Sequence, residues 1–123
     1  MSKYHSKKVT IGGEVFDSKK EARRYSELLL LLRAGAITEL KRQVEFELIP
    51  AQREPDIAGP RGGVKKGRVI EQKCSYVADF VYKDNGKLVV EDVKGYKQGT
   101  AYAVFTIKRK LMLYIHKIRV KEI

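Results

Sequence analysis

Asp79, Asp92 and Lys94 place two carboxylates and an amine within one short stretch, SYVADFVYKDNGKLVVEDVKG at residues 75–95. Asp84-Asn85-Gly86 marks a tight turn in its middle, because Asn-Gly accepts the positive φ that a hairpin turn needs. The flanking segments are rich in Val, Tyr and Phe and read as strands. Strand side chains alternate, so Asp92 and Lys94 share one face and Glu91 and Val93 the other. On the preceding strand Val77, Asp79 and Val81 share a face, apart from Ala78, Phe80 and Tyr82. With a matching register, Asp79 lies beside Asp92. Adjacent carboxylates repel and desolvation raises their pKa values, so the pair favours a divalent cation. All-oxygen sites suit Mg²⁺ or Mn²⁺, which also bind phosphate oxygens. The chemistry open to this set is cation binding beside an amine, at a place where the ion can meet phosphate oxygens.

Each of these residues also has a plainer reading. The three charges can form a cross-strand ion pair on a solvated face, worth about 0.2–1 kcal/mol. Glu21, three residues after Ser18, can close a capping box. It also continues the helical stripe Tyr25, Leu28, Leu32, and an inward acid needs a partner such as a metal. Gln43 either contacts the site or hydrogen-bonds backbone. Pro55-Asp56 followed by Glu71-x-Lys73 offers a second acid–acid–lysine pattern. Asp56 falls in a Gly/Pro-rich loop with nothing to hold it, and preorganised chemistry favours fixed elements. His5 and His116 are isolated, and Cys74 reads as a small strand residue.

The elements that must position these groups follow from period and punctuation. Residues 1–8 are polar and basic and read as a mobile arm. Residues 8–16 suit a short hairpin around Gly12-Gly13. Residues 18–33 form a helix with the apolar stripe Ala22, Tyr25, Leu28, Leu29 and Leu32, stopped by Gly35. QVEFELIP, residues 43–50, alternates as a half-buried strand. Residues 51–68, AQREPDIAGPRGGVKKGR, have little to bury and read as a long flexible loop. Strands at 69–82 and 88–94 flank the Asn-Gly turn. Residues 100–116 form a second helix with Val104, Ile107, Leu111 and Tyr114 or Ile115 inward, and 117–123 a closing strand. The whole makes one α/β domain in the order α-β-β-β-α-β after an N-terminal hairpin.

Of the 123 residues, 26 are Lys or Arg and 15 are Asp or Glu, a net charge of +11. A small domain this basic is suited to a polyanion, because each phosphate contact releases counterions. Nucleic acid is favoured over acidic lipid, since the leucines of residues 19–33 are better used in a core. No apolar run reaches the ~18–20 residues of a membrane span, and the N-terminus lacks a signal-peptide pattern. One cysteine forms no internal disulfide, so a reduced, cytoplasmic compartment is expected. Arg53, Arg61, Lys65, Lys66 and Arg68 in the loop suit phosphate contact and ordering on binding. Lys108, Arg109 and Lys110 form a second positive cluster, Lys97 follows the Asp92 strand, and Tyr96 and Tyr102 are placed to stack on bases. No small-molecule cofactor is expected.

Asp79 and Asp92-x-Lys94 across a short turn, in an α-β-β-β-α-β order, resemble the PD-(D/E)xK nuclease superfamily over residues 17–122. The wider pattern of FDSKKEARRY, the Gln43 strand, ADF and EDVKG is similar to an uncharacterised bacteriophage and prophage family within it. Ala78 stands where the literal motif has proline. The resemblance implies a restriction-endonuclease-like core with a mixed central sheet flanked by helices. It implies Mg²⁺ held by Asp79, Asp92, the Val93 carbonyl and Glu21, with Lys94 as the catalytic cation. DNA is the implied substrate, branched DNA being one candidate, and a homodimer the implied assembly. A non-catalytic DNA-binding accessory protein on the same fold is the runner-up. An RNA-binding protein is the third reading, though basic RNA binders have no need of clustered acids.

Overall fold

A computed structural model describes residues 8–95 and 97–123. Most of the basic stretch 1–8, with His5 in it, and Tyr96 lie outside the described residues. The chain opens with β1 (Val9–Ile11) and β2 (Glu14–Phe16), antiparallel around Gly12-Gly13, both at positive φ. Helix α1 (Lys19–Arg33) starts at Ser18, whose Oγ accepts from the Glu21 N–H at 3.1 Å. This satisfies one orphan donor of the first turn. Glu21, Ala22 and Leu28 are its buried residues. Leu32, expected inward, is exposed at the helix end.

Strand β3 (Thr38–Ile49) starts earlier than the alternation of residues 43–50 predicts. The segment expected to be a flexible loop is instead an arm of two short ribbons. β4 (Gln52–Arg53) pairs with β7 (Val69–Glu71), and β5 (Ile57–Ala58) with β6 (Val64–Lys65). The strand expected over 69–82 is therefore split, and β8 (Cys74–Asp84) begins after a break. β9 (Lys87–Asp92) follows the Asn85-Gly86 turn, where both residues have positive φ. Helix α2 (Gly99–Leu111) runs into a π-helical turn at Met112–His116. Lys117 in the left-handed region ends that turn before β10 (Val120–Glu122).

The central sheet has the order β10-β9-β8-β3. β10 runs parallel to β9, and the other pairs are antiparallel, so the sheet is mixed as expected. Phe16, Ala22, Leu28, Ile37, Phe80 and Tyr82 pack on the α1 side. Leu48, Tyr76, Ala78, Val81, Val90, Phe105, Met112 and Val120 pack on the α2 side. The inward face expected for the second helix is corrected in part: Leu111 packs on the core as expected, but Phe105 and Met112 are the buried residues, while Val104, Ile107, Tyr114 and Ile115 are exposed. The helix is apolar on two sides, so period alone does not choose between them.

One irregularity positions everything that follows. On β3, Val44, Phe46 and Leu48 face the α2 side, yet Leu40 packs on the α1 side and Arg42 lies 3.9 Å from the Phe16 ring centre. On β8, Tyr76 and Ala78 face the α2 side, yet Phe80 and Tyr82 face the α1 side. Residues of one parity thus change sides in both strands at the same level. The register Arg42↔Phe80 and Val44↔Ala78 brackets Gln43 and Asp79 at that level. Gln43 has φ +52°, which inverts the alternation locally. A non-glycine residue held there stores about 1–3 kcal/mol of strain and marks a place to look for function.

Candidate active site

β8 and β9 are paired from Asp84↔Lys87 back to Phe80↔Glu91. Past that pair β9 stays bonded to the last residues, Ile123 N–H donating to the Asp92 carbonyl and Lys94 N–H to the Ile123 carbonyl. On the other side it leaves β8, and Asp79 fills the fork. The Val93 N–H donates to Asp79 Oδ2 at 2.8 Å, and Gln43 Nε2 donates to Oδ1 at 3.3 Å. The same Gln43 nitrogen lies 3.3 Å from Glu21 Oε1, so one amide spans two carboxylates. Arg42 Nη2 lies 3.7 Å from Glu21 Oε1. The Glu21 carboxylate therefore points into the sheet, while its backbone N–H serves the Ser18 cap.

Asp92 and Lys94 share a face, as the strand period predicts. Lys94 Nζ is 2.8 Å from Asp92 Oδ1 and lies over the Phe105 ring, 3.7 Å from its centre. The Tyr76 hydroxyl donates to Asp92 Oδ2 at 2.6 Å. Lys20 Nζ donates to the Lys94 carbonyl at 2.6 Å, tying α1 to the end of the site. A cavity of about 290 Å³ opens here, its lining including Tyr76, Asp92, Lys94, Phe105 and Lys108. A larger one of about 500 Å³ lies between α1 and β3 beside Tyr25, Leu40 and Gln43. The smaller holds the carboxylate–lysine pair, and the larger carries Glu14, Lys41 and Arg42 on its wall.

The electrostatics are those of crowded acids. Burial, then the negative charge of Asp79, push Glu21 up to about 7, with Arg42 opposing. Burial raises Asp79 as well, the Val93 N–H opposing and the charge of Asp92 adding to it. Burial and the bond to Asp92 hold the Tyr76 phenol far above its ordinary value. Among the described residues, no three Asp, Glu, His or Cys side chains are grouped closely enough to hold a metal as they stand. The donor types do suit a hard cation: Glu21, Asp79 and Asp92 offer carboxylates and Val93 a carbonyl. Both oxygens of Asp92 are engaged by Tyr76 and Lys94, so a cation there competes with the Lys94 ammonium.

The expected nucleic-acid residues fall in two places. Arg61, Lys65, Lys66 and Arg68 lie exposed on the β4–β7 arm. Lys108 lines the Asp92 cavity, and Lys97 is close enough to Glu122 to lower its pKa. Lys110 does not line that cavity; it lies with Arg109, Leu113 and Arg119 beside a separate hollow. Tyr102 is corrected as a stacking residue, because its hydroxyl donates to Glu122 at 2.9 Å and its ring packs against Phe105. The rival acid–acid–lysine pattern does not assemble a site. Lys73 pairs with Glu45, and Asp56 is held rather than loose, its carboxylate accepting the Gly67 N–H at 2.9 Å.

Sequence reasoning missed four participants. Tyr76 and Phe105 surround the Asp92–Lys94 pair, and no motif announces them. Arg24 and Glu91 form a closed ion pair, Nε–Oε1 at 2.8 Å and Nη2–Oε2 at 2.6 Å, with the Tyr82 hydroxyl also donating to Oε2. Glu91 is fully buried. Its signal was an acid sharing a strand face with Val89 and Val93, which a solvated-face reading passes over.

A mixed four-stranded sheet between two helices, with acids gathered at a fork between central strands, defines a small α/β protein with a polar site at its sheet centre. The chain belongs to the family described as "Protein of unknown function (DUF1064)", which it matches over residues 1–122. No curated protein and no solved structure matches it.

Proposed function

We propose that this protein is a divalent-metal-dependent endonuclease acting on DNA. One observation carries the reading: Gln43 bridges Glu21 and Asp79 where two central strands change faces, and Asp79 lies near enough to Asp92 and Lys94 for both charges to act on it. Strain and crowded acids at one point suit a site kept for chemistry rather than stability. Asp79, Asp92, Glu21 and the Val93 carbonyl would hold Mg²⁺ or Mn²⁺. The ion would supply Lewis acidity and a more acidic bound water.

The chain's own groups have distinct tasks. Gln43 keeps Glu21 and Asp79 at a common distance. The Val93 N–H fixes Asp79, and Tyr76 fixes Asp92. Lys94, resting on the Phe105 ring, is free to leave Asp92 for a phosphate oxygen when a cation takes its place. The net charge of +11 suits a polyanionic substrate.

The test is incubation with plasmid and four-way-junction DNA in Mg²⁺ or Mn²⁺. Asp92→Asn and Asp79→Asn should each lower cleavage more than about 100-fold, the scale for single groups acting on reacting charge. Mn²⁺ binding, followed by paramagnetic resonance, should weaken in both. A wild-type protein that binds DNA but cuts neither substrate in either metal is a DNA-binding accessory protein, and the enzyme reading ends. The closed Lys94–Asp92 pair is the observation that favours this second role.

A further inference from the structure

The arm at residues 50–73 is a built element. Glu54 N–H donates to the Arg68 carbonyl at 2.8 Å, and Gly59 N–H to the Gly63 carbonyl at 2.5 Å. Between them the two strands cross at Gly67. Arg53 Nη1 donates to the Gly67 carbonyl at 2.9 Å, and the Gly67 N–H donates to Asp56 Oδ1 at 2.9 Å. A Cβ at Gly67 would stand 1.8 Å from the Glu54 carbonyl oxygen, so only glycine permits the crossing. Gly67 is buried in a segment whose neighbours are exposed.

Beyond this clasp the charge is of one sign. Residues 57–66 contain Arg61, Lys65 and Lys66 and no acid, and Arg68 stands at the clasp itself, its carbonyl accepting from the Glu54 N–H. No ion pair joins these four to another described residue. Ile57 and Val64 are 63% and 72% exposed. A two-stranded ribbon is the width that the major groove of B-form DNA admits, about 12 Å, and apolar side chains there meet thymine methyl groups. The arm leaves the sheet at the Ile49↔Cys74 pair, and Ser75 lines the Asp92 cavity. Asp79 lies five steps along β8 from Cys74, roughly 17 Å at ~3.4 Å per residue.

The geometry points to a preformed β-ribbon that enters the major groove of duplex DNA next to the site. The inference rests on DNA being the substrate, and it makes that substrate double-stranded on at least one flank. Its test avoids cleavage altogether, so its failure is separable from that of the enzyme reading. Binding is measured in EDTA to a DNA duplex of about two turns (roughly 20 base pairs), to its single strand, and to an RNA duplex of the same length. The DNA duplex should bind tightest, since the major groove of A-form RNA is too narrow for side chains to read. Replacing Arg61, Lys65, Lys66 and Arg68 together by Ala should weaken duplex binding more than about 10-fold and flatten the log Kd–log salt slope by about 3–4. Gly67→Ala, which keeps every charge but breaks the crossing, should weaken it too. If that variant fails to fold, the quadruple variant still decides the matter. Equal binding by the quadruple variant, or by a folded Gly67→Ala, overturns the inference. So does an RNA duplex that binds as well as DNA.

Discussion

Glu91 and Asp92 are adjacent carboxylates on one strand, and the protein treats them oppositely. Glu91 faces α1, where Arg24 grips both of its oxygens and Tyr82 adds a hydroxyl. Asp92 faces α2, where it meets one lysine, one tyrosine and an open cavity. The first is a closed charge pair with its hydrogen bonds satisfied, which locks α1 to the sheet. The second also has both oxygens engaged, at 2.6 and 2.8 Å, but its partners stand at the wall of an open cavity. Since Arg24 and Glu21 sit on the same helix, the closed pair also fixes how Glu21 approaches the fork. A single strand thus carries the anchor on one face and the candidate chemistry on the other.

The sharpest way to break this contrast is stability. Removing one partner of a buried ion pair leaves the other charge unpaired and costs about 3–5 kcal/mol. Glu91→Ala should lose that much in urea unfolding. Asp92→Asn should lose at most about 1.5 kcal/mol, because an amide oxygen still accepts from Tyr76. Equal losses would mean that Asp92 is as structural as Glu91. Replacing the anchor as a pair, Arg24→Met with Glu91→Leu, should restore most of the loss, since apolar isosteres of buried pairs are often neutral.

The next effect is smaller and depends on pH. Glu21 rises from its ordinary 4.5 to about 7 in the folded protein. The native state therefore holds this proton more tightly than the unfolded chain. Below pH 4.5 both states are protonated and Glu21 costs nothing. As pH climbs from 4.5 to 7 the unfolded chain ionises first, and stability falls. Above 7 the loss is complete. Glu21→Gln removes the titration, so it should exceed wild type by about 1–3 kcal/mol at pH 8 in metal-free buffer and match it near pH 4. Mn²⁺ should stabilise the wild type at pH 8 and the variant less, because the variant keeps Asp79 and Asp92 but has lost one carboxylate. A wild-type curve that is flat between pH 4.5 and 7 would show that the acids at the fork are not crowded.

Local rules made the anchoring elements readable. Asn85-Gly86 dictates its turn, Ser18 its cap, and regular alternation on β9 puts Asp92 beside Lys94. The readable part stops where alternation breaks. Gln43 and Asp79 sit at a face change that depends on a positive φ, and period two presumes there is none. Reading Val81 with Asp79, apart from Ala78, was wrong for this reason: Ala78 and Val81 pack in the same core. The arm was unreadable because its order comes from one tertiary crossing at Gly67, in a stretch with almost nothing to bury. Arg24 and Glu91 were unreadable as partners because 67 residues separate them.

The finest test bears on the face change itself. Gln43→Gly relieves the strain of a left-handed non-glycine residue, worth about 1–3 kcal/mol. It also loosens the unfolded chain by about 0.5–1 kcal/mol and removes the amide that spans Glu21 and Asp79. These oppose each other, so stability should move by less than about 1 kcal/mol. Cleavage and Mn²⁺ affinity should fall, because nothing then keeps the two carboxylates apart at a fixed distance. Gln43→Asn keeps an amide and tolerates positive φ, and it should fold equally well while recovering part of the metal affinity. A Gln43→Gly protein that is much less stable would make Gln43 a structural bridge of the Glu91 kind. Unchanged stability with lost metal binding would place it on the Asp92 side of the comparison.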